Sequence, residues 1–241
     1  MINSFSVSNY RSILNLVTPL YQLNVIMGPN GSGKSNLYKS LRLLAETANG
    51  GVIGALAKEG GLDSAFWAGP KTISKGMKNG TVPIQITVNK GAVRLKLGFS
   101  GENFSYCVSL GLPPPPAIDP YNPAYEPTKF NLDPVIKREC ICAGPSYRPS
   151  SCLVDRDRTV VKIRSGRKWE VLANHVDTYD SILNEIADPE RAPEIFNIRE
   201  TIKNWCFYDH FRTDKDSKIR IPKIGTRTPV LDQDRHELAA A

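Results

Sequence analysis

The chain has 241 residues, of which 41% are hydrophobic and 23% are charged, and its formal net charge at pH 7 is +7. This composition is typical of a globular protein and excludes the disordered and fibrous classes. No apolar run approaches the roughly 18 residues of a membrane span, and the N-terminus lacks the pattern of a secretory signal. We therefore expect a cytoplasmic protein with reduced cysteines and no membrane partner, and the positive charge favours an anionic partner such as nucleotide or nucleic acid.

The first predicted elements surround a glycine-rich loop. Residues 2–7 alternate apolar and polar side chains as a half-buried strand does, and a polar turn follows at 9–12. Residues 23–27 predict a second strand that runs directly into the loop at 28–35. Leucines at helical spacing then predict a helix over residues 34–48.

The rest of the chain is predicted to form mainly an antiparallel sheet followed by helices. Residues 58–80 predict a long surface connection, and the prolines of residues 113–127 predict a stiff loop. Alternating segments joined by turns predict strands at residues 82–88, 92–99, 104–110, 135–142, 159–164 and 168–172. Apolar residues at helical spacing predict helices at residues 178–187 and 194–206.

These elements predict an α/β fold in which a P-loop lobe carries a largely antiparallel sheet. We place this first lobe at residues 1–175. Residues 176–241 would then begin a helical lobe and end in a basic tail.

The glycine-rich loop fits the P-loop pattern in full, as Gly28-x-x-x-x-Gly33-Lys34-Ser35. The glycines allow backbone N–H groups to surround phosphate oxygens, Lys34 supplies a positive charge to the β- and γ-phosphates, and Ser35 offers a hydroxyl to Mg²⁺. The alternative is a chance glycine turn between a strand and a helix. The predicted strand before the loop and the helix after it favour nucleotide binding.

The sequence of residues 28–37, Gly-Pro-Asn-Gly-Ser-Gly-Lys-Ser-Asn-Leu, resembles that of one branch of P-loop proteins, the ABC-type ATPases of the RecF, SMC and OLD kind. A turn like Tyr10-Arg11-Ser12 and an antiparallel sheet beside the nucleotide site also resemble that branch. The chain is most similar to the N-terminal half of predicted AAA-family ATPases of bacterial DNA-repair and phage-defence systems. The resemblance is specific over residues 1–48 and loose over residues 80–241.

The resemblance implies that the chain binds Mg-ATP and that ATP-driven closure of a homodimer or higher oligomer regulates an effector. That effector would act on DNA or in antiviral defence, as a nuclease or a toxin. Ser35 would bind Mg²⁺, and Arg11 with Ser12 would lie close to the nucleotide. The residues that would contact or adjoin the phosphates are Asn30, Gly31, Ser32, Gly33, Lys34, Ser35 and Asn36.

The sequence does not show the parts that ATP hydrolysis needs beyond the phosphate loop. A carboxylate that holds Mg²⁺ at the end of a buried strand has only Asp155 and Asp232 as candidates, and each is better interpreted as a strand end in a loop. Residues 100–102 match only a fragment of the family's signature motif. The catalytic residues are therefore unknown, and we expect hydrolysis only with a second half.

Three explanations stay open for that missing half. The chain is truncated, which we favour, or a second polypeptide supplies the rest, or the protein is a degenerate nucleotide binder. Two other functions are also open. One is an ATP-sensing regulatory module without turnover of its own, and the other is a P-loop kinase or GTPase, although the sequence has neither a base-recognition motif nor a set of lid arginines.

Two further groups of residues were candidates for a site. Cys107, Cys140, Cys142 and Cys152 could hold zinc, but their spacing favours buried thiols on strands. Basic residues around the last predicted hairpin could contact DNA, although nearby aspartates also fit a solvated strand face, and a second basic cluster lies at residues 212–227. The DNA candidates of the hairpin are Lys162, Arg164, Arg167 and Lys168.

Overall fold

The computed structural model describes residues 1–70, 72, 74–83, 93–113, 132–145 and 147–208. Met1–Lys203 form one compact unit, and Asn204–Ala241 form a second, of which only the first five residues are described. Most of the predicted strand at 82–88, most of the proline-rich loop and the basic tail cluster lie outside the described residues. Within the described residues, no helix has the length and apolarity to cross a bilayer.

The centre of the first unit is a single antiparallel sheet of eight strands. Their order across the sheet is β2-β1-β3-β4-β5-β6-β7-β8, so adjacent strands are consecutive in the chain except for the pair β1 and β3. The strands are β1 Ile2–Tyr10, β2 Ile13–Pro19, β3 Leu95–Gly101, β4 Phe104–Gly111, β5 Val135–Ala143, β6 Cys152–Asp157, β7 Val160–Ser165 and β8 Lys168–Ala173.

Six α-helices within the described residues accompany the sheet. Helix α1 contacts β1 and β3, and α6 contacts β4 and β6. The helices are α1 Lys34–Ala45, α2 Val52–Lys58, α3 Gly61–Ala65, α4 Lys75–Lys78, α5 Ile182–Glu185 and α6 Pro193–Lys203.

The alternation of side chains along the strands gives the sheet two different faces. One face is mainly apolar and is largely buried over β1 and β3 to β7, with Phe5, Leu97 and Tyr106 among its residues. Helices α1 and α6 contribute buried leucines and isoleucines, such as Leu44 and Ile198, to the same core. Burial of these side chains supplies the main driving force for this fold.

The opposite face is built from small and polar side chains in register. Across neighbouring strands, Ser6 pairs with Gly98, Gly98 with Cys107, and Cys107 with Cys140. In the next row Lys96 pairs with Ser109, and Ser109 pairs with Arg138. Successive residues of a strand point to opposite faces of the sheet. The alternation of apolar and small polar residues along each strand therefore produces both faces.

A buried ion pair lies on the apolar face between β5 and β6. The side chains of Glu139 and Arg156 are both fully buried, and Nη1 of Arg156 donates to Oε2 of Glu139 over 2.6 Å. Tyr106 and Ser181 donate their hydroxyls to Oε1 of Glu139 over 2.6 and 2.5 Å, and the Ile182 amide donates to Oε2. Burial, followed by the Glu139 charge, raises the pKa of Tyr106.

Arg156 also contacts backbone carbonyls. It donates to the carbonyl oxygens of Arg158 and Asp180 over 2.6 and 2.7 Å and also to that of Asp177. This cluster therefore ties residues 177–182 to the sheet, and its two buried charges are paired with each other and hydrogen-bonded, as buried charges must be.

The structure confirms most of the predicted strands. Those predicted at residues 2–7, 104–110, 135–142, 159–164 and 168–172 are present, and the strand predicted at 92–99 is observed as Leu95–Gly101. The predicted helix at 34–48 is α1 followed by a turn of 3₁₀ helix over Glu46–Asn49. The helix predicted at 194–206 is α6.

Four expectations are wrong. Residues 23–27 form no strand; they are irregular and exposed, and the strand near them is β2, at Ile13–Pro19. The connection predicted at 58–80 contains α3 and α4, and Leu62 of α3 is completely buried. Only four residues of the helix predicted at 178–187 are helical.

The fourth error concerns Asp155, which was interpreted as a strand end in a loop. It lies within β6, paired in register with Cys140 and Lys162. Its carboxylate accepts two hydrogen bonds from Arg138, over 2.9 and 3.1 Å. Asp155 is thus held by a neighbouring strand's guanidinium, and Asp232 lies outside the described residues.

Candidate functional site

The glycine-rich loop lies between the exposed residues 21–27 and the first turn of α1. Gly31 and Gly33 have positive φ angles of 81° and 93°, which non-glycine residues adopt at a cost. A Cβ atom on Gly33 would lie 2.8 Å from Oγ of Ser12. The positive φ angles of the two glycines therefore curve the loop. The absence of a side chain at Gly33 also leaves space for Ser12.

Lys34 is the first residue of α1, and its ammonium group folds back over the loop. Nζ donates to the carbonyl oxygens of Gly28 and Pro29 over 2.5 and 2.8 Å. Its positive charge therefore lies against the loop, in a position to meet phosphate oxygens. The unpaired N–H groups at the start of α1 add the positive end of the helix dipole.

The turn between β1 and β2 contacts the same loop. Nδ2 of Asn36 donates to Oγ of Ser12 over 2.7 Å, and Ser12 also adjoins Gly33. The structure thus brings Ser12, Gly33 and Asn36 together. Asn30, Gly31, Ser32 and Ser35 are exposed to solvent around them.

Arg11 is in the same turn, but its side chain is held by Glu59. Nε and Nη2 of Arg11 donate to Oε2 of Glu59 over 3.1 and 2.8 Å, and the buried Tyr10 donates its hydroxyl to the same carboxylate. Burial, followed by the negative charge of Glu59, raises the pKa of Tyr10.

The Arg11 amide also donates to the carbonyl of Ala65 over 2.7 Å. The helices α2 and α3 are therefore anchored to the turn that contacts the loop. Sequence reasoning missed Glu59, because nothing in the local pattern of residues 58–80 shows that its carboxylate meets a turn 48 residues away.

The loop fits the phosphates of a nucleotide with Mg²⁺. The curvature at Gly31 and Gly33 leaves room for phosphate oxygens, Lys34 provides the charge, and Ser35 is exposed at the start of α1 with a hydroxyl free to face the cation. Within the described part of the chain, no group of three His, Cys, Asp or Glu residues could hold a metal ion by itself. Mg²⁺ here would depend on Ser35 and the phosphates, consistent with its usual reliance on substrate oxygens.

The basic residues predicted to contact DNA lie on β7, on β8 and in the turn between them. Lys162, Arg167 and Lys168 are exposed. Arg164 is engaged within the fold, because Nη1 donates to the Ser150 carbonyl over 2.6 Å and its guanidinium stacks 5.8 Å from the Trp169 ring. Three of the four candidates are thus accessible cations.

The cysteines predicted to be reduced are free thiols, and they line neighbouring strands. Sγ of Cys107 lies 2.8 Å from Sγ of Cys140, its register partner in β5, and Cys142 pairs with Cys152. A hydrogen bond with Cys140, followed by burial, raises the pKa of Cys142 to about 11. Cys140, Cys142 and Cys152 are buried and Cys107 is half-buried on the strands.

Comparison with protein families gives one match. Residues 23–113 match the family described as "AAA domain, putative AbiEii toxin, Type IV TA system". The match covers less than half of the chain, and it includes the glycine-rich loop, α1 and strands β3 and β4. No curated protein matches the chain. The family match and the loop geometry together support an AAA-type, ATPase-like, nucleotide-binding domain in this part of the molecule.

Proposed function

We propose that this protein is the Mg-ATP-binding first half of an ABC-type ATPase of the RecF, SMC and OLD kind. The observation that carries the proposal is the loop at residues 28–35, with Lys34 folded over it and Ser12, Gly33 and Asn36 gathered at its side. An ATP-sensing module without turnover would use the same loop. A P-loop kinase or GTPase is less well supported, because the sequence offers no base-recognition motif.

The proposal includes a second half that completes the nucleotide-binding lobe. The support is the apolar segment just before the loop, where Leu23, Val25 and Met27 are 82%, 74% and 85% exposed. Contiguous exposed apolar residues are typical of a surface that another element covers. We propose that the occupant is the ATPase's remaining polypeptide, from the same longer chain or a separate subunit, which would add a strand beside this segment and supply the missing carboxylate.

The effector and the oligomer are further parts of the proposal. ATP-driven closure of two such lobes would change the state of a nuclease or a toxin, and the matched family's description, which names a putative toxin of a type IV TA system, supports a toxin-linked setting. Lys162, Arg167 and Lys168 would contact the phosphate backbone of DNA. Reversing these three charges should weaken oligonucleotide binding and reduce its dependence on salt; unchanged affinity would remove DNA from the proposal.

The first test measures Mg-ATP binding by titration calorimetry on the 241-residue chain. We expect binding that is lost in Lys34→Ala, since the ammonium group is the main charge facing the phosphates. Lys39→Ala is the matched control, because Lys39 is an exposed lysine of the same helix that lies beyond the loop. Equal ATP affinity in wild type and Lys34→Ala would overturn the proposal.

Steady-state ATP hydrolysis then separates the half-enzyme from a complete one. We expect no turnover above that of Lys34→Ala from this chain alone. Turnover that disappears in Lys34→Ala would show that the chain holds its own catalytic carboxylate, and the second-half part of the proposal would fall.

A further inference from the structure

A pocket opens on the small polar face of the sheet, separate from the glycine-rich loop. Its volume is about 210 Å³, and its floor includes Cys107, Ser109 and Cys140. The rim carries three long basic side chains and a tyrosine, which are Arg94, Lys96, Arg138 and Tyr147.

The register of the strands explains why this surface is concave. Lys96, Ser109 and Arg138 lie side by side on β3, β4 and β5, so a short side chain stands between two long ones. In the adjacent row, Gly98 and Cys107 are register partners, and they too fill little volume. The pocket is therefore a consequence of side-chain sizes at fixed positions in the sheet.

The charge of the rim is strongly positive. Arg94 and Lys96 are exposed, and neither forms an ion pair with any residue in the described ranges. Arg138 is balanced by Asp155. The pKa of the neighbouring Lys137 is lowered by burial and then by the positive charges of Arg158 and Arg94, which shows that cations crowd this part of the surface.

The floor offers a hydroxyl without a partner. Oγ of Ser109 is buried and makes no hydrogen bond to any described residue. A buried polar atom left unsatisfied costs roughly 1–3 kcal/mol. Rotation about the Cα–Cβ bond would let this hydroxyl meet an oxygen of a bound group. The two rim cations without an ion-pair partner among the described residues, Arg94 and Lys96, indicate that this group is an anion.

We infer that this pocket binds the phosphate group of a small molecule, with Lys96 and Arg94 supplying charge and Ser109 a hydrogen bond. The size of the pocket favours a small ligand, because sites for drug-sized molecules are usually about 300–1,000 Å³. The ligand class is an inorganic or simple organic phosphate such as pyrophosphate. The site is independent of the glycine-rich loop and does not rest on the ATP proposal.

The test uses pyrophosphate as the probe and the Lys34→Ala chain as the protein, so that anion binding at the glycine-rich loop is removed. Titration calorimetry at constant ionic strength should detect binding. Lys96→Ala and Arg94→Ala, each added to Lys34→Ala, should weaken the affinity by at least about tenfold, since each removes a charge-assisted contact. Lys39→Ala added to Lys34→Ala should leave it unchanged.

Thiol chemistry locates the bound anion. Cys107 lines the pocket, whereas Cys206 is exposed elsewhere in the chain. Pyrophosphate should slow the alkylation of Cys107 by neutral N-ethylmaleimide and leave Cys206 unchanged, as followed by peptide mass spectrometry. Protection by a single-stranded oligonucleotide but not by pyrophosphate would overturn the small-phosphate assignment in favour of a nucleic-acid surface.

The absence of pyrophosphate binding in the calorimeter would also overturn the inference. This outcome is distinct from failure of the ATP proposal, because Mg-ATP binding is measured on the chain with Lys34 intact. Lys96→Ala in that chain should retain its affinity for Mg-ATP.

Discussion

The glycine-rich loop and the Glu139–Arg156 cluster differ in their exposure to solvent and in how far apart their residues lie in the chain. The loop is exposed, and the residues that shape it come mainly from eight consecutive positions, 28–35. The side chains at the centre of the cluster are buried, and its parts come from β4, β5, β6 and residues 177–182. The loop is suited to meeting a ligand, and the cluster is suited to fixing the position of one part of the fold.

The largest expected effect comes from breaking the buried cluster. Glu139→Gln keeps the shape of the side chain but leaves the Arg156 charge without a counter-ion, and such uncompensated buried charges cost about 3–5 kcal/mol. The free energy of unfolding, measured in urea, should fall by about this amount. The double variant Glu139→Leu with Arg156→Met should be less destabilised than Glu139→Gln, because it removes both charges.

An exposed ion pair of the same sheet is the control. Asp155→Asn disrupts the bond to Arg138, whose side chain is 48% exposed, and should change the free energy of unfolding by no more than about 1 kcal/mol. A Glu139→Gln effect as small as the Asp155→Asn effect would show that the buried cluster does not fix the fold.

The contrast also explains what the sequence could predict. The loop at 28–35 was identified because its chemistry requires a fixed local spacing, and the strands of the central meander were identified because alternation is a local pattern. The Glu139–Arg156 pair joins residues that are 17 positions apart, and the hydroxyls that donate to Glu139 are 33 and 42 positions away, so no local pattern marks the cluster.

Errors in the strand prediction have the same cause. Residues 23–27 have a strand-like composition, but a strand also needs a neighbour to accept and donate its backbone hydrogen bonds, and the described residues supply none to this segment. Conversely, β6 was missed because Asp155 and Arg156 interrupt its apolar pattern. Arg138 and Glu139 on β5 satisfy those charges, which only the register between the strands reveals.

A smaller effect is expected in the loop itself, at Gly33. Gly33→Ala places a Cβ 2.8 Å from the Ser12 hydroxyl oxygen and imposes a left-handed backbone, which alone costs about 1–2 kcal/mol. Gly31→Ala imposes only the backbone cost, because nothing lies within 4 Å of its added Cβ. The free energy of unfolding should therefore fall further in Gly33→Ala than in Gly31→Ala.

The crowding at Ser12 can be relieved by a second change. Ser12→Gly combined with Gly33→Ala should recover the difference between the two alanine variants, since the hydroxyl that opposes the Cβ is gone. Equal destabilisation by Gly31→Ala and Gly33→Ala would mean that the contact between the β1–β2 turn and the loop does not persist in solution.

The smallest effect is expected just before the loop. Val25→Ser changes a side chain that is 74% exposed, so the free energy of unfolding of this chain should shift by less than about 0.5 kcal/mol. Val7→Ser on β1, where the valine is 1% exposed, is the matched control and should cost about 2 kcal/mol or more. A cost for Val25→Ser that approaches the Val7→Ser value would show that residues 23–27 are already covered in this chain. The apolar segment would then no longer support a second polypeptide that completes the lobe, and the ATP-sensing module would become the better description of the protein.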